Sequence, residues 1–597
     1  MVLAAPGAET LTAQTIDRLL QELHPDAEQP LPEEDIIIID ELLRQNRGLT
    51  AVAIAAIEKL SIVDEQEIRK IRRLAGSTNP RADLVTADLS PAIAELIAVL
   101  LENEPFSSTD LLLRQLVVFS SDVRYLWRAK VDFGENSQGG LLLERDPGEL
   151  AIADFAGGYW QGKAGDLDWI IGDHQIIAGY GLNLWRSNPG YKGFDTGKSA
   201  GRPGPGLQSY RSTHEAWALR GLALQWRGAG QKIVVSASRN RRHGTLPFPG
   251  YPDIDLVGLH RSAAGVYPPA GLMENAVCGV WEIGREKYTG GVTLAHSRWS
   301  DRGGSSTDFG SGSVFGSKSF GSLNMFGEIA HGFNASRGQL GGVSVRLRSA
   351  LHYLLLIRKY DGGYTALRAN PLTEWSGDLK NESGLFQSLN LHWGRNQLTC
   401  VGDIYRESAP AAKMLSVVSG SETALRWEWQ SRRQKLRFQW KREKRSLENT
   451  INYANSGLAN EELRQTVKIA LNRDFSRHWK IRLQANLVDF QSGGNYSHGW
   501  GVDSRISWQT AAWSAELDQV LVKTDDYDSR IYFWDLNLPG EMRSRVYAAS
   551  GYYPGLRLGY QTKNNYRIFA RLRCLSPENR ALSRDGFEGG LLIEANL

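Results

Sequence analysis

The sequence is poor in cysteine and has no long apolar run. Cys278, Cys400 and Cys574 are the only cysteines in 597 residues. Three widely spaced cysteines form neither a disulfide framework nor a metal cluster, so we interpret them as small apolar residues. Transmembrane helices are excluded as well, because no stretch reaches the roughly 18 consecutive apolar residues that a spanning helix needs.

Catalytic signatures are also missing. Neither a G-x-S-x-G elbow nor an H-E-x-x-H zinc motif occurs, and the 11 histidines show no ligand spacing. The stretch from Gly193 to Ser199 resembles a phosphate-binding loop, but three residues separate its glycines where that motif requires four. We therefore predict that the protein is not an enzyme. We predict no catalytic, cofactor-binding or metal-binding residues and no cofactor.

Charge divides the chain into two parts. Residues 1–105 carry 9 Lys and Arg against 19 Asp and Glu, a net charge of −10, so the remainder carries +13 because the whole chain is at +3. Binding to nucleic acid depends mainly on neutralising phosphates, so the acidic part makes nucleic acid an unlikely partner. The first residues lack the basic stretch and long apolar core of a secretory signal, so a signal peptide is not visible.

Residues 1–105 show the periodicity of short amphipathic helices. Such helices are too short to be stable alone, so we predict that they pack together as a small all-α domain, with a protein-docking or structural role. The predicted helices are Thr12–Leu23, Glu33–Gln45, Thr50–Leu60, Asp64–Leu74 and Ser90–Leu101.

Residues 106–597 show the alternation of β-strands, most clearly in the hairpin at residues 423–442. Leu425 and Trp427 alternate with Arg426 and Glu428 on the outgoing strand. Successive side chains of a strand point to opposite faces, so this hairpin has one apolar and one charged face. The return strand repeats the pattern with Phe438 between Arg437 and Gln439.

The alternation recurs throughout this part, and three features favour a closed barrel over a soluble sandwich. Short and long connections alternate along the chain, Trp and Tyr lie near the ends of apolar faces, and no second set of apolar strands is available to cover the first. We predict a mainly β fold, a large antiparallel transmembrane β-barrel of roughly 20–26 strands over residues 106–597. Asp301–Phe320 is predicted to be one of its Gly/Ser-rich loops. The residues predicted to face the lumen are Arg426, Glu428, Arg437, Lys441, Arg571 and Arg573.

One stretch carries a likeness to a known family. The helical unit at Leu49–Leu74 precedes the acidic turn Glu144–Glu149 and a glycine-rich motif whose members are Gly172, Asp173, Gln175, Gly179, Gly181 and Trp185. With these features the chain resembles the Gram-negative outer-membrane helix-hairpin-helix domain-containing proteins. The resemblance implies a degenerate helix-hairpin-helix domain in the periplasm followed by a large barrel in the outer membrane. It implies no transport substrate.

Three functions fit these observations. The first is an outer-membrane channel or transport and secretion component, whose helical part docks a periplasmic protein and whose basic lumen favours anionic solutes. The second is an envelope scaffold with a plugged barrel that transports nothing. The third is a soluble carbohydrate-binding or hydrolytic β protein, which would need paired catalytic carboxylates in a cleft.

Overall fold

The computed structural model describes residues 33–45, most of 49–101 and most of 111–596. The larger gaps fall within 120–122, 148–154, 186–191, 247–270, 333–335, 348–349, 375–380, 408–415, 450–459, 563–565 and 576–585. The predicted helix Thr12–Leu23 lies outside the described residues.

Five helices precede the strands and share one apolar cluster. Their bounds are α1 Glu33–Gln45, α2 Ala51–Ile57, α3 Glu65–Ala75, α4 Pro80–Leu84 and α5 Pro91–Leu101. Thr50 caps α2 by accepting a hydrogen bond from the backbone N–H of Ala53, as helix N-caps commonly do. Ile39, Ile57, Ile71 and Leu96 are fully buried in the cluster. The short helix α4 is the only one of the five that the periodicity did not indicate.

Strands occupy most of the rest of the chain. The first fifteen are β1 Leu111–Phe119, β2 Val123–Asp132, β3 Ser137–Arg145, β4 Phe155–Ala164, β5 Leu167–Ala178, β6 Leu184–Trp185, β7 Gly206–Ser209, β8 Leu219–Gly228, β9 Gln231–Arg242, β10 Gly244–Thr245, β11 Asp253–Ile254, β12 Leu272–Arg285, β13 Tyr288–Asp301, β14 Ser306–Phe320 and β15 Leu323–His331. A short helix, α6 Thr196–Ser199, lies between β6 and β7.

The remaining fifteen strands follow in chain order. They are β16 Arg337–Leu347, β17 Leu351–Tyr360, β18 Glu382–Trp393, β19 Asn396–Glu407, β20 Ser416–Gln430, β21 Gln434–Asn449, β22 Asn460–Asp474, β23 Trp479–Ser492, β24 Asn495–Gln509, β25 Trp513–Thr524, β26 Ile531–Trp534, β27 Ser544–Tyr547, β28 Gly551–Gln561, β29 Tyr566–Cys574 and β30 Phe587–Asn596.

The pairs β10–β11 and β26–β27 form two small separate sheets, and all other strands belong to one large sheet. This large sheet closes on itself. Of its 26 strands, 24 form an antiparallel barrel in which each strand pairs with the next, and β30 pairs with β1. The other two, β6 and β7, pair with the inner end of β5. Trp427 lies opposite Phe438 and Glu428 opposite Arg437, as the alternation requires. The predicted mainly β fold with a large antiparallel barrel is thus confirmed, and its strand number falls within the predicted range.

The two ends of the barrel differ in their connections. At one end, which we call the short-turn end, successive strands are joined by two to four residues. β1 starts and β30 finishes at this end. Every connection of more than four residues lies at the opposite end, which we call the long-loop end. The longest of these joins β5 to β8 through residues 179–218.

The outer face of the barrel wall is apolar and uncovered. Leu294 is 65% exposed, whereas its neighbour Thr293 points inward and is fully buried. Other exposed apolar side chains halfway along the strands include Val277, Val314, Ile329, Ile469 and Leu487. The inner face carries most of the buried charged and polar side chains, so the wall is inverted relative to a soluble protein, which buries apolar and exposes polar residues.

Exposed aromatic residues mark both rims of this apolar surface. At the short-turn end they are Phe133, Tyr288, Phe320, Trp393, Phe475, Trp479, Trp513, Tyr560 and Tyr566. At the long-loop end they are Phe119, Tyr496, Tyr552 and Phe587. An apolar band between two aromatic rims is typical of barrels that cross a bilayer.

The loop predicted at Asp301–Phe320 is wrong. Asp301 ends β13, and Ser306–Phe320 forms β14, which pairs with β13 on one side and β15 on the other. Its glycines and serines accompany large inward rings: a Cβ on Gly291, across the pair, would lie 2.6 Å from the ring of Phe315. Pairing on both edges outweighs the weak strand propensity of glycine and serine.

Candidate functional site

The lumen is occupied by the chain itself. Three connections from the long-loop end have described residues inside the barrel. They are the inner segment at residues 173–218, the inner loop at residues 361–381 and the inner hairpin at residues 525–550. The helices α1–α5 meet them from the short-turn end. The contacts that hold these parts in place form the candidate site.

The inner segment leaves the wall at Gly172, the first residue of the glycine-rich motif. Gly172 has a φ of +99°, and a Cβ there would come 2.3 Å from the carbonyl oxygen of Gly158 on β4. Only glycine accommodates this backbone, and the resulting bulge redirects β5. Beyond it, β5 stops pairing with β4 and pairs with β7 and then β6 inside the barrel.

Two polar residues of the motif hold β5 in place where it leaves the wall. Asp173 accepts hydrogen bonds from the backbone N–H of Gly158 at 2.7 Å and from Arg220 Nε at 2.6 Å. Gln175 donates from Nε2 to Gln208 Oε1 at 3.1 Å and to a carboxylate oxygen of Glu34 on α1. The motif thus links the wall, the inner segment and the helices.

Glu328 on β15 fixes the tip of the inner segment. One carboxylate oxygen accepts the backbone N–H groups of Tyr180 at 2.5 Å and of Leu182 at 3.2 Å. Gly179 and Gly181, both with positive φ, form the turn that aims these groups at the carboxylate. Two convergent N–H groups form a small anion-binding nest, so a single carboxylate holds the segment.

Further along, ion pairs fasten the inner segment to the opposite wall. Lys192 contacts both Asp403 on β19 and Glu374 of the inner loop. Arg426, one of the predicted lumen-facing residues, lies on β20. Its two terminal nitrogens donate hydrogen bonds to the carboxylate of Asp195, at 3.1 and 3.2 Å. All five side chains are largely shielded from solvent, so these pairs are screened less than surface pairs are.

The inner loop packs against the inner segment. Its residue Asn370 donates its backbone N–H to the carbonyl of Gly181 at 3.0 Å. Trp185, the last residue of the glycine-rich motif, donates its backbone N–H to the carbonyl of Arg368 at 2.7 Å. Arg368 in turn pairs with Glu274 on β12. The two inward elements therefore form one body that the wall holds at several points.

The inner hairpin, which contains β26 and β27, is held by arginines of the wall. Arg571 donates to the carbonyl of Leu536 at 3.0 Å and to Glu541 at 2.9 Å. Arg573 contacts Asp535, and Glu588 contacts both arginines. Arg571 and Arg573 were predicted to face the lumen, and there they bind the hairpin.

The other three predicted residues pair within the wall. Glu428 on β20 contacts Arg437 on β21 directly across the strand pair. Lys441 contacts Glu443 at 2.9 Å and Glu422 at 3.4 Å. The structure therefore places the six predicted residues in two groups: three that bind inner elements and three that form ion pairs within β20 and β21.

The helices contact the lumen through acidic residues of α1. Asp40 lies 3.4 Å from Arg114 on β1, and Glu41 bridges Lys130 on β2, at 3.0 Å, and Arg211 of the inner segment, at 2.7 Å. Burial disfavours the charged form of Glu41, but the two cations outweigh it and lower its pKa to about 2. Glu41 therefore stays ionised at any physiological pH.

Sequence reasoning missed the acidic side of these contacts. Glu274 near the start of β12, Glu328 within β15 and Asp403 within β19 occupy inward positions and are almost fully buried. A carboxylate at an inward position beside an apolar residue, as Glu328 is beside the outward-facing Ile329, was a visible signal. The partner of each carboxylate could not be predicted, because the partners lie far away in the sequence.

Among the described residues, no group of His, Cys, Asp and Glu could hold a metal ion. None of the helices in the part of the chain that the structure describes is long and apolar enough to cross a bilayer.

No family model and no curated protein matches the chain. Solved structures resemble its fold at low identity. The siderophore receptor PirA from Pseudomonas aeruginosa aligns with a TM-score of 0.41 at 9% identity, over 83% of this chain and 81% of that one. The copper transporter OprC aligns at 0.40 and 7%, over 83% and 82%. OccK3 from Pseudomonas aeruginosa aligns at 0.31 and 9%, over 82% and 95%. Such scores identify no shared substrate or mechanism.

Proposed function

We propose that this protein is an outer-membrane β-barrel that forms a gated passage. It would act as a channel or as a component of a transport or secretion system. The observation that carries the proposal is a closed barrel with an uncovered apolar outer face and a polar lumen occupied by its own chain. A soluble β protein rarely leaves so large an apolar surface exposed, which argues against the carbohydrate-binding alternative.

The orientation follows from the connections. Bacterial outer-membrane barrels have short turns on the periplasmic side and long loops outside. The short-turn end is then periplasmic, and α1–α5 lie on that side of the lumen. Arg72 and Arg73 on α3 face solvent, away from the apolar cluster. This supports a role of residues 1–105 in docking a periplasmic protein.

Gating is supported by the kind of contact that holds the inner segment. Glu328, Arg426 and Asp403 act through hydrogen bonds and ion pairs, which water and ions can replace when the segment moves. Apolar packing adds to these contacts, since the cluster inside the barrel includes Tyr180 and Leu182 of the inner segment and Tyr364 of the inner loop. We call the wall residues that make these polar contacts fasteners. A plug that can open requires a closed state held by a limited number of such contacts.

Removing two fasteners from the wall should open the passage. We expect the wild-type protein to conduct weakly in planar bilayers. Glu328→Ala combined with Arg426→Ala should raise the open probability about tenfold or more, because each loses a charged hydrogen-bonding contact to the inner segment. Single-channel recording measures the effect.

Arg437→Ala is the matched control. Arg437 also lies on the lumen face, but it pairs with Glu428 within the wall and contacts no inner element in the described residues. It should shift ion selectivity towards cations without raising the open probability. A double variant that stays as closed as the wild type would contradict the assignment of Glu328 and Arg426 as fasteners.

A plugged envelope scaffold is the second candidate, and the filled lumen favours it. It predicts that conductance stays negligible in every fastener variant, even when those variants fold. The same recordings therefore separate a gated passage from a scaffold.

A further inference from the structure

A cavity of about 400 Å³, lined by both polar and apolar side chains, lies between the helices and the barrel wall at the short-turn end. Helices α1 and α2 form one side, strands β2–β5 the other, and the inner segment closes it towards the long-loop end. The volume is in the range of cavities that hold small molecules. We call it the vestibule cavity.

Donors without acceptors line this cavity. Gln208 of the inner segment is 5% exposed, and its Nε2 has no partner among the residues that the structure describes, although its Oε1 accepts from Gln175. Lys59 and Lys163 also line the cavity and form no ion pair with another described residue. Lys59 is half-buried and Lys163 is exposed, so only Gln208 is a buried donor. A buried donor left unpaired costs free energy, so Gln208 Nε2 calls for an acceptor.

The charge of the cavity points the same way. Burial and the nearby guanidinium groups of Arg211 and Arg227 lower the pKa of Lys59 to about 8. Burial likewise raises the pKa of Glu34 to about 8, so at neutral pH this carboxyl is protonated and can itself donate. The other charged groups facing the cavity are Glu41, Glu58, Lys130, Asp132, Lys163 and Asp168.

Most of the acids among these are already paired. Glu41 is held between Arg211 and Lys130, and Glu58 accepts a hydrogen bond from Arg72 at 2.7 Å. The lysines at positions 59 and 163 have no such partner among the described residues. The cavity therefore has spare positive charge. The carboxyl of Glu34, whose Oε1 has no partner among the described residues, is protonated at neutral pH and does not offset that charge.

We propose that the vestibule cavity is a binding site for the oxyanion group, a carboxylate or a phosphate, of a small solute. Lys59 supplies the charge and Gln208 a directed hydrogen bond. This proposal names the class of solute that the proposed passage would carry. It rests on the proposed function only in placing the site on the path of that solute.

Calorimetric titration of the full chain in detergent tests the site, with inorganic phosphate and succinate as probes. At least one probe should bind saturably, and the probe that binds identifies phosphate or carboxylate as the preferred group. Lys59→Met and Gln208→Glu should each weaken binding about tenfold or more, the first by removing the cation and the second by adding a repelling charge.

Affinity should also fall as pH rises through about 8. Lys59 then loses its proton and Glu34 becomes an anion, and both changes oppose an anionic ligand. Binding to superficial lysines would persist until pH approaches their ordinary pKa of about 10.4.

Lys287→Met is the matched control, because Lys287 lies in an exposed turn at the same end of the barrel. It should leave binding unchanged. The site is refuted if neither probe binds saturably, or if Lys287→Met weakens binding as much as Lys59→Met does. Circular dichroism establishes that each variant folds. If the protein did not conduct ions in bilayers, the proposed passage would be refuted, whereas binding of the probe measured in detergent would still support the site.

Discussion

Leu294→Arg should lower the free energy of unfolding in bilayers by about 2–4 kcal/mol, because it places a cation near the middle of the hydrocarbon. Leu294 is 65% exposed and lies halfway along β13. In a soluble protein the same change at an exposed position stays within about 0.5 kcal/mol. The measurement is reversible urea unfolding in phosphatidylcholine vesicles.

Leu294→Phe is the control, since it keeps an apolar side chain on the same outward face. It should change stability little. The arginine penalty should also grow with bilayer thickness, because a thicker bilayer places the charge further from water. A penalty that ignores thickness, or an arginine variant as stable as the phenylalanine one, would contradict a lipid-facing wall.

Arg358→Met should cost about 3–5 kcal/mol, the range for breaking a buried pair by removing one partner. Arg358 on β17 is 1% exposed and donates to Glu382 at 2.5 Å and to both oxygens of Asp403, at 2.7 and 2.9 Å. Without it, Asp403 keeps only Lys192 among the cations described here. Glu382 loses its cationic partner and keeps a hydrogen bond from the backbone N–H of Glu374 at 2.8 Å. The same unfolding measurement applies.

Arg337→Met on the neighbouring strand β16 is the comparison, because its side chain is exposed. It should stay within about 0.5 kcal/mol of the wild type. Arg358→Lys should be intermediate, since lysine keeps the charge but cannot make the two-pronged contact with Asp403. Equal stabilities for Arg358→Met and Arg337→Met would show that the buried pair is not structural.

The barrel could be predicted because each strand repeats a local rule. The alternation of Trp427 and Phe438 with Glu428 and Arg437 specifies two faces and a register, and the structure has that register. β14 could not be predicted in this way. Its glycines and serines lower the local strand propensity, and its stability comes from pairing with β13 and β15, which lie on either side.

The filling of the lumen could be predicted only in part. The glycines at positions 172, 179 and 181 indicated unusual backbone, and the structure places them where β5 turns inward. Their purpose depends on Glu328, which is 148 residues from Tyr180. Contacts between residues so distant leave no periodic signal, so a lone sequence indicates an inward charge without indicating what it holds.

The depth of the outer face in a bilayer tests the central claim most directly. A fluorophore is attached at Leu294→Cys, or at Tyr288→Cys on the short-turn rim of the same strand, after replacement of the three native cysteines. The two positions lie about 20 Å apart along the strand. We expect lipids that carry a deep quencher to quench the label at position 294 most, and shallow quenchers to quench the label at position 288 most. Equal quenching of both labels by aqueous iodide, with no response to the lipid quenchers, would contradict a membrane-spanning barrel.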